Sequence, residues 1–99
     1  MVSPDGDILA VLFAEPPFAP LPPGDSGNKI IWAAKDPLGG GLTVDAHLVG
    51  TPEAVEIGEI FLGRSFVNVP KPGCWRLTLH WTLHSSAPAE TIDIVYKSA

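Results

Sequence analysis

The sequence predicts an all-β sandwich, and three observations predict it. First, apolar and polar residues alternate with period two, most clearly from Cys74 to Leu83. Second, Gly 10 and Pro 11 in 99 residues place turn signals between nearly all the short apolar runs. Third, no stretch carries the 3.6-residue apolar period over a helix length. The expected architecture is an immunoglobulin-like β-sandwich of about seven short antiparallel strands. A small β-barrel is the alternative closure.

Residues 8–14, Ile8 to Ala14, are a continuous apolar run that suits a strand covered on both faces or a buried edge. Pro16, Pro17, Pro20, Pro22 and Pro23 then make 15–27 a Pro-rich extended loop, because proline removes backbone donors and steers its predecessor toward extended backbone. It reads as a rigid connector anchored by Phe18 and Leu21, or as a ligand for an aromatic groove. Ile30 to Ala34 is the next strand, closed by Asp36-Pro37-Leu38-Gly39-Gly40-Gly41. Leu42, Val44, Ala46 and Leu48 alternate with Thr43, Asp45 and His47, the pattern of a half-buried strand. Between 51 and 63 two readings compete. Thr51-Pro52-Glu53 can open a short helix, whereas Val55, Ile57 and Ile60 around Gly58 suit a bulged strand, and the strand is preferred. Ser65 to Val69 is a short strand stopped by Pro70-Lys71-Pro72-Gly73.

Trp75, Leu77, Leu79, Trp81 and Leu83 share one face of the Cys74–Leu83 run, which marks it as the central core strand. After Ser85-Ser86-Ala87-Pro88-Ala89, Ile92, Ile94 and Tyr96 alternate with Thr91, Asp93 and Val95 and complete a hairpin. That register is expected to bring Asp93 near His80 or Thr82 as a cross-strand charge pair. The candidate core is Trp32, Trp75, Leu77, Leu79, Trp81, Ile92, Ile94 and Tyr96. Residues 1–99 are read as one domain.

Apolar residues at 45% against charged residues at 17% give the chain enough apolar surface to fold. The formal net charge is −5, and the cations Lys29, Lys35, Arg64, Lys71, Arg76 and Lys97 stand singly. Such a pattern argues against nucleic acid and against an anionic membrane surface as partners. Asp5 and Asp7 precede the apolar run where a signal peptide needs cations, and the run is too short to cross a bilayer. The expectation is a chain without a signal peptide and without direct membrane insertion.

Little chemistry is legible. Cys74 is the single cysteine, so no intrachain disulfide and no paired-cysteine zinc motif can form. His80 and His84 are four apart in a strand, about 13 Å at roughly 3.3 Å per residue, too far for one metal ion. A metal or redox site would need Cys74 with His47 or His80, brought together by the fold. The serines lack a nucleophile elbow, and Glu53, Glu56 and Glu59 read as a solvated face. Gly39-Gly40-Gly41 is followed by no Lys-Ser/Thr, so it reads as a turn and not as a phosphate cradle. Trp32, Trp75 and Trp81 would serve as sugar platforms only if exposed; their place in apolar alternation assigns them to the core. No enzyme and no cofactor is expected.

Gly6-Asp7-Ile8-Leu9-Ala10-Val11-Leu12-Phe13, Asn28-Lys29-Ile30-Ile31-Trp32, and Pro72-Gly73-Cys74-Trp75-Arg76-Leu77-Thr78-Leu79 with Thr91-Ile92-Asp93-Ile94-Val95-Tyr96 carry a resemblance. Together they resemble an uncharacterised family of bacterial extracytoplasmic proteins, often lipoproteins, with Gly-Cys-Trp-Arg-Leu-Thr-Leu as the most specific piece. Relative to that pattern this chain is longer at Ser85 to Ala89. The resemblance implies an extracytoplasmic location, secreted or at the cell surface, and brings no catalytic residues. The expected function is a non-catalytic binding or structural module whose partner is a protein or a cell-surface polysaccharide. A metal or redox site at Cys74 and a carbohydrate-binding module are the alternatives. The expected contact zones are the loops 16–27, 36–41 and 85–89 and an edge strand open to a partner strand.

Overall fold

Seven strands build the molecule in a computed structural model that describes residues 8–12, 19, 27–35, 41–83, 86 and 88–98. They are β1 Ile8–Leu12, β2 Lys29–Ala34, β3 Leu42–Leu48, β4 Ala54–Ile60, β5 Gly63–Phe66, β6 Gly73–Trp81 and β7 Glu90–Tyr96. No helix occurs among the described residues. The strands form a three-stranded sheet in the order β1-β2-β5 and a four-stranded sheet in the order β4-β3-β6-β7, with every pairing antiparallel. Both sheets are open, so the structure is a sandwich and not a closed barrel. The chain changes sheet between β2 and β3, between β4 and β5, and between β5 and β6, the crossing pattern of an immunoglobulin-like fold. It departs from the constant-type order in one respect: the fourth strand lies beside the third.

Burial follows the pleat. On β6, Trp75, Leu77, Leu79 and Trp81 are buried while Arg76 and His80 are exposed. On β7, Ile92, Ile94 and Tyr96 are buried and Asp93 and Val95 are exposed. Trp32 and Ile30 of β2 meet them from the opposite sheet within one core cluster. The three largest fully buried side chains, Trp32, Trp75 and Tyr96, each satisfy a polar tip with a hydrogen bond, as buried indoles and phenols must. Trp32 Nε1 donates to Ser65 Oγ at 2.8 Å, Trp75 Nε1 to the Lys71 carbonyl at 3.0 Å, and Tyr96 Oη to the Val67 carbonyl at 2.9 Å. The first of these bonds ties the middle of the three-stranded sheet to its edge, and the third ties β7 to the segment that follows β5.

Several expectations change in detail. Leu83 does not join the core: β6 ends at Trp81, and Leu83 is 72% exposed in the turn that follows. Asp93 lies opposite Arg76, not beside His80 or Thr82. The connection occupies 82–89, so β7 first pairs at Glu90 with Leu79 and every later residue lies deeper along β6. The short strand expected at 65–69 is β5 at Gly63–Phe66. Past Phe66 the chain has run beyond the start of β2, and Val67 N–H and Asn68 Oδ1 both bond Asn28 instead, at 3.0 Å and 2.9 Å to its backbone.

The segment 51–63 is the bulged strand rather than a helix. Thr51 Oγ1 is engaged in the turn, donating to the Leu48 carbonyl at 3.0 Å and accepting from Glu53 N–H at 3.1 Å. The β3–β4 register shifts between Val44 and Asp45, leaving Ile57 as the extra residue on β4. Gly58 beside it has φ +105°, a conformation that glycine adopts without strain. The run 8–14 supplies β1, which pairs with β2 and stands at the end of its sheet in the order of the described strands. Of the Pro-rich loop, Phe18 and Leu21 lie outside the described residues. Ala19 is fully buried, and its N–H donates to the Lys97 carbonyl at 2.9 Å.

Candidate functional site: the outer face of the four-stranded sheet

The metal candidates that the sequence offered, His47, His80 and Cys74, lie on one surface, the solvent side of β4-β3-β6-β7. Strand alternation puts them there, because inward positions are taken by Leu42, Val44, Ala46 and the buried residues of β6 and β7. Cross-strand pairing arranges the outward residues in rows. Glu59, Thr43 and His80 form one row across β4, β3 and β6. Glu56, Asp45, Thr78 and Thr91 form the next, across all four strands. Ala54, His47, Arg76 and Asp93 form the third.

A fourth row closes this face. Cys74 pairs with Val95 on β7, and on its other side the Cys74 carbonyl accepts the Val49 N–H at 3.0 Å. Val49 and Val95 are 43% and 57% exposed, and the Cys74 thiol-bearing residue between them is half-buried. This end of the sheet therefore presents apolar surface to water, next to a polar centre.

The polar centre is held by a bidentate ion pair. Arg76 Nε and Nη2 donate to Asp93 Oδ1 and Oδ2 at 2.9 Å and 3.0 Å. These hydrogen bonds hold the Asp93 carboxyl below its ordinary pKa of 3.8, against an opposing effect of burial and with a lesser contribution from the guanidinium charge. The Arg76 pKa is raised by the same contacts. Asp45 and Glu56 are directly opposed carboxylates, an arrangement that disfavours the sheet locally. His47 Nε2 donates to the Thr51 carbonyl, since a carbonyl only accepts. Lys71 Nζ pairs with Glu53 Oε1 at 2.7 Å at the rim.

Among the described residues, no three His, Cys, Asp or Glu side chains come close enough to hold an ion. His80 is six residues from Cys74 along β6, about 20 Å at roughly 3.3 Å per residue. His47 is the histidine brought nearer: it opposes Arg76 and so sits diagonally from Cys74, about 7–8 Å between the backbones.

No protein-family model, no curated protein and no solved structure matches the chain.

The remaining sequence-derived candidates separate from this face. Trp32, Trp75 and Trp81 are 1%, 0% and 7% exposed, so none of the three indoles offers a stacking platform to a sugar ring. The expected contact loops fall largely outside the described residues; Gly27, Gly41, Ser86, Pro88 and Ala89 are their described members besides Ala19. Gly41 acts in packing: a Cβ there would meet the Ile60 carbonyl oxygen at 2.6 Å.

Sequence reasoning missed Glu90. It begins β7 on the inward face, is the one buried carboxylate among the described residues, and its Oε1 has no hydrogen-bond partner. Its parity with Ile92, Ile94 and Tyr96 was the available signal, obscured by the polar stretch before it.

Proposed function

We propose that this chain is a non-catalytic binding or structural module of the extracytoplasmic space, engaging a partner through the outer face of its four-stranded sheet. The observation that carries the reading is the exposed pair Val49 and Val95 around half-buried Cys74, adjoining the Arg76–Asp93 pair. An apolar anchor beside fixed polar groups is the usual anatomy of a recognition patch. The extracytoplasmic location, and attachment as a lipoprotein, rest on the resemblance carried by the Gly-Cys-Trp-Arg-Leu-Thr-Leu run. A protein surface or a cell-surface polysaccharide is the partner class.

The metal or redox reading retains one supporting observation, the diagonal placement of His47 and Cys74. Amide proton–nitrogen NMR of labelled protein, titrated separately with zinc and with cell-wall polysaccharide fragments, separates the readings. Shifts confined to His47 and Cys74 on adding zinc favour the metal site over the binding patch. Shifts at Val49, Cys74, Arg76 and Val95 on adding polysaccharide support the patch and name its ligand class. If neither addition moves the spectrum, a protein partner or a structural role remains. If a protein is the partner, V49D and V95D must lower retention of cell-envelope proteins on the immobilised domain; unchanged retention sinks the outer-face reading.

A further inference from the structure

In the order of the described strands, β1 and β5 end one sheet, and β4 and β7 end the other. Three of these are poor templates for a further strand. β1 is 5 residues long, and its Ile8 and Ala10 already have partners. β5 has 4 residues and carries the exposed charge of Arg64. β4 is broken by the bulge at Ile57 and Gly58 and carries the exposed acids Glu56 and Glu59, both devices that discourage strand addition. β7 has 7 residues and pairs with β6 without a register shift. Its one exposed charge, Asp93, is paired with Arg76.

Two hydrogen bonds fix which way β7 turns its backbone. The Cys74 carbonyl accepts the Val49 N–H, so Cys74 directs its backbone groups away from β7, and its pair with Val95 is of the non-hydrogen-bonded kind. The Lys97 carbonyl accepts the Ala19 N–H, which is not part of β6, so the odd-numbered residues point away from β6 there too. Alternation therefore turns the N–H and C=O groups of Thr91, Asp93 and Val95 outward, and among the described residues no strand lies beside them. At the start of this edge, on its inward side, stands Glu90, 6% exposed, with Oε1 unpartnered.

A strand added antiparallel along 90–95 would bond Thr91, Asp93 and Val95 and stop where Ala19 holds Lys97. The even-numbered residues would then form the close pairs, about 4.5 Å between opposed Cα atoms. The residue opposed to Glu90 shares its inward face. A lysine or arginine there supplies the donor and the opposite charge that a buried carboxylate needs. Apolar residues opposed to Ile92 and Ile94 continue the face that β7 already presents.

We infer that β7 is the receiving edge for an extended segment of a partner protein, in which two inward apolar residues are followed at the same parity by a basic one that meets Glu90. The mode is strand addition: backbone bonds supply affinity, and the Glu90 contact supplies selectivity. This goes beyond the outer-face reading, since the contact uses the edge and the inward side of β7, and Val49 takes no part in it.

The probe is the end-capped peptide Val-Val-Thr-Val-Thr-Lys, titrated to millimolar concentration into the labelled whole chain. Expected are amide shifts along 90–95 and slower hydrogen exchange at Thr91, Asp93 and Val95, about tenfold at a peptide concentration about ten times Kd. Replacing the peptide's lysine by leucine should weaken binding at least about tenfold, and Glu90→Leu should abolish that preference. N-methylation of the two threonine amides, which point at β7, should abolish binding. N-methylation of the valine between them, whose amide points away, should not. No shift up to millimolar peptide overturns the proposal, as do shifts centred on another strand. So does equal binding of the lysine and leucine peptides, or binding that survives N-methylation of the threonines.

Discussion

The Tyr96 phenol donates a hydrogen bond of 2.9 Å to the Val67 carbonyl, and both residues are at most 1% exposed. This bond joins the last strand of one sheet to the segment leaving the edge of the other. Tyr96→Phe keeps the ring and leaves that carbonyl buried without the phenol, so it should cost about 1–2 kcal/mol. In a domain of this length that is a fall of about 4–8 °C in Tm per kcal/mol. Burial pushes the phenol's pKa above its ordinary value of 10.0. The unfolded chain therefore ionises first as pH rises. The stabilisation is complete below about pH 10 and is lost progressively above it. Urea unfolding from neutral to alkaline pH should show a shallower alkaline decline in Tyr96→Phe than in the unaltered chain. Parallel curves would mean that the phenol is not held neutral.

Gly41 and Gly58 are both glycines, for different physical reasons. At Gly41 space is the constraint, since a Cβ would press on the Ile60 backbone oxygen at 2.6 Å, in a strand pair fixed by Leu42 against Ile60. At Gly58 nothing lies within 4 Å of such a Cβ, and the constraint is φ +105°. Alanine should cost about 1–3 kcal/mol at Gly41 through overpacking and about 1–2 kcal/mol at Gly58 through backbone conformation. Asparagine distinguishes the causes, because it tolerates positive φ better than alanine but is larger. Denaturation midpoints should rank Asn above Ala at Gly58 and below Ala at Gly41. The same rank order at both sites would refute this assignment.

The contrast between these glycines shows where the sequence was informative. Period-two alternation made the β6 and β7 faces legible, because burial of Trp75, Leu77, Leu79, Trp81, Ile92, Ile94 and Tyr96 requires only strand geometry and a core on one side. Pairing register was not legible. It depends on how many residues the 82–89 connection uses, and that decided that Asp93 meets Arg76. The end of β5 was likewise set by where β2 begins, a fact of the partner strand and not of 65–69 itself. Of the candidate site, His47, His80 and Cys74 were identifiable by residue type. The apolar pair Val49 and Val95 around Cys74 emerges only when β3, β6 and β7 lie side by side.

Arg76 and Asp93 form an exposed pair, and its signature is a titration. The hydrogen bonds from Arg76 hold the Asp93 carboxyl below its ordinary 3.8, so the stabilisation is present above that value and is lost as pH falls through the folded pKa. Carbon-detected NMR of the side-chain carboxyl should place the Asp93 midpoint below 3.8. In Arg76→Gln it should move up toward the ordinary value. High salt should narrow the difference between the two proteins, because an exposed pair is screened. An Asp93 titration unaffected by Arg76→Gln would mean that the pair does not persist in solution.

Glu90 stands on the inward face of β7 opposite Leu79, only 6% exposed, with Oε1 unpartnered. A buried acceptor without a donor costs about 1–3 kcal/mol relative to one that is satisfied. The neighbouring inward residues of β7, Ile92 and Ile94, are aliphatic, so a leucine at 90 continues the face that the strand already presents. Glu90→Leu should therefore raise stability by about 1 kcal/mol or more, read as a higher urea midpoint with an unchanged denaturant slope. Glu90→Gln keeps a buried polar group, now with a donor to satisfy as well, and should not reproduce the gain. If leucine lowers the midpoint while glutamine leaves it unchanged, the carboxylate oxygens have a donor in solution. Glu90 would then belong to a satisfied polar contact and not to an unsatisfied site in the core.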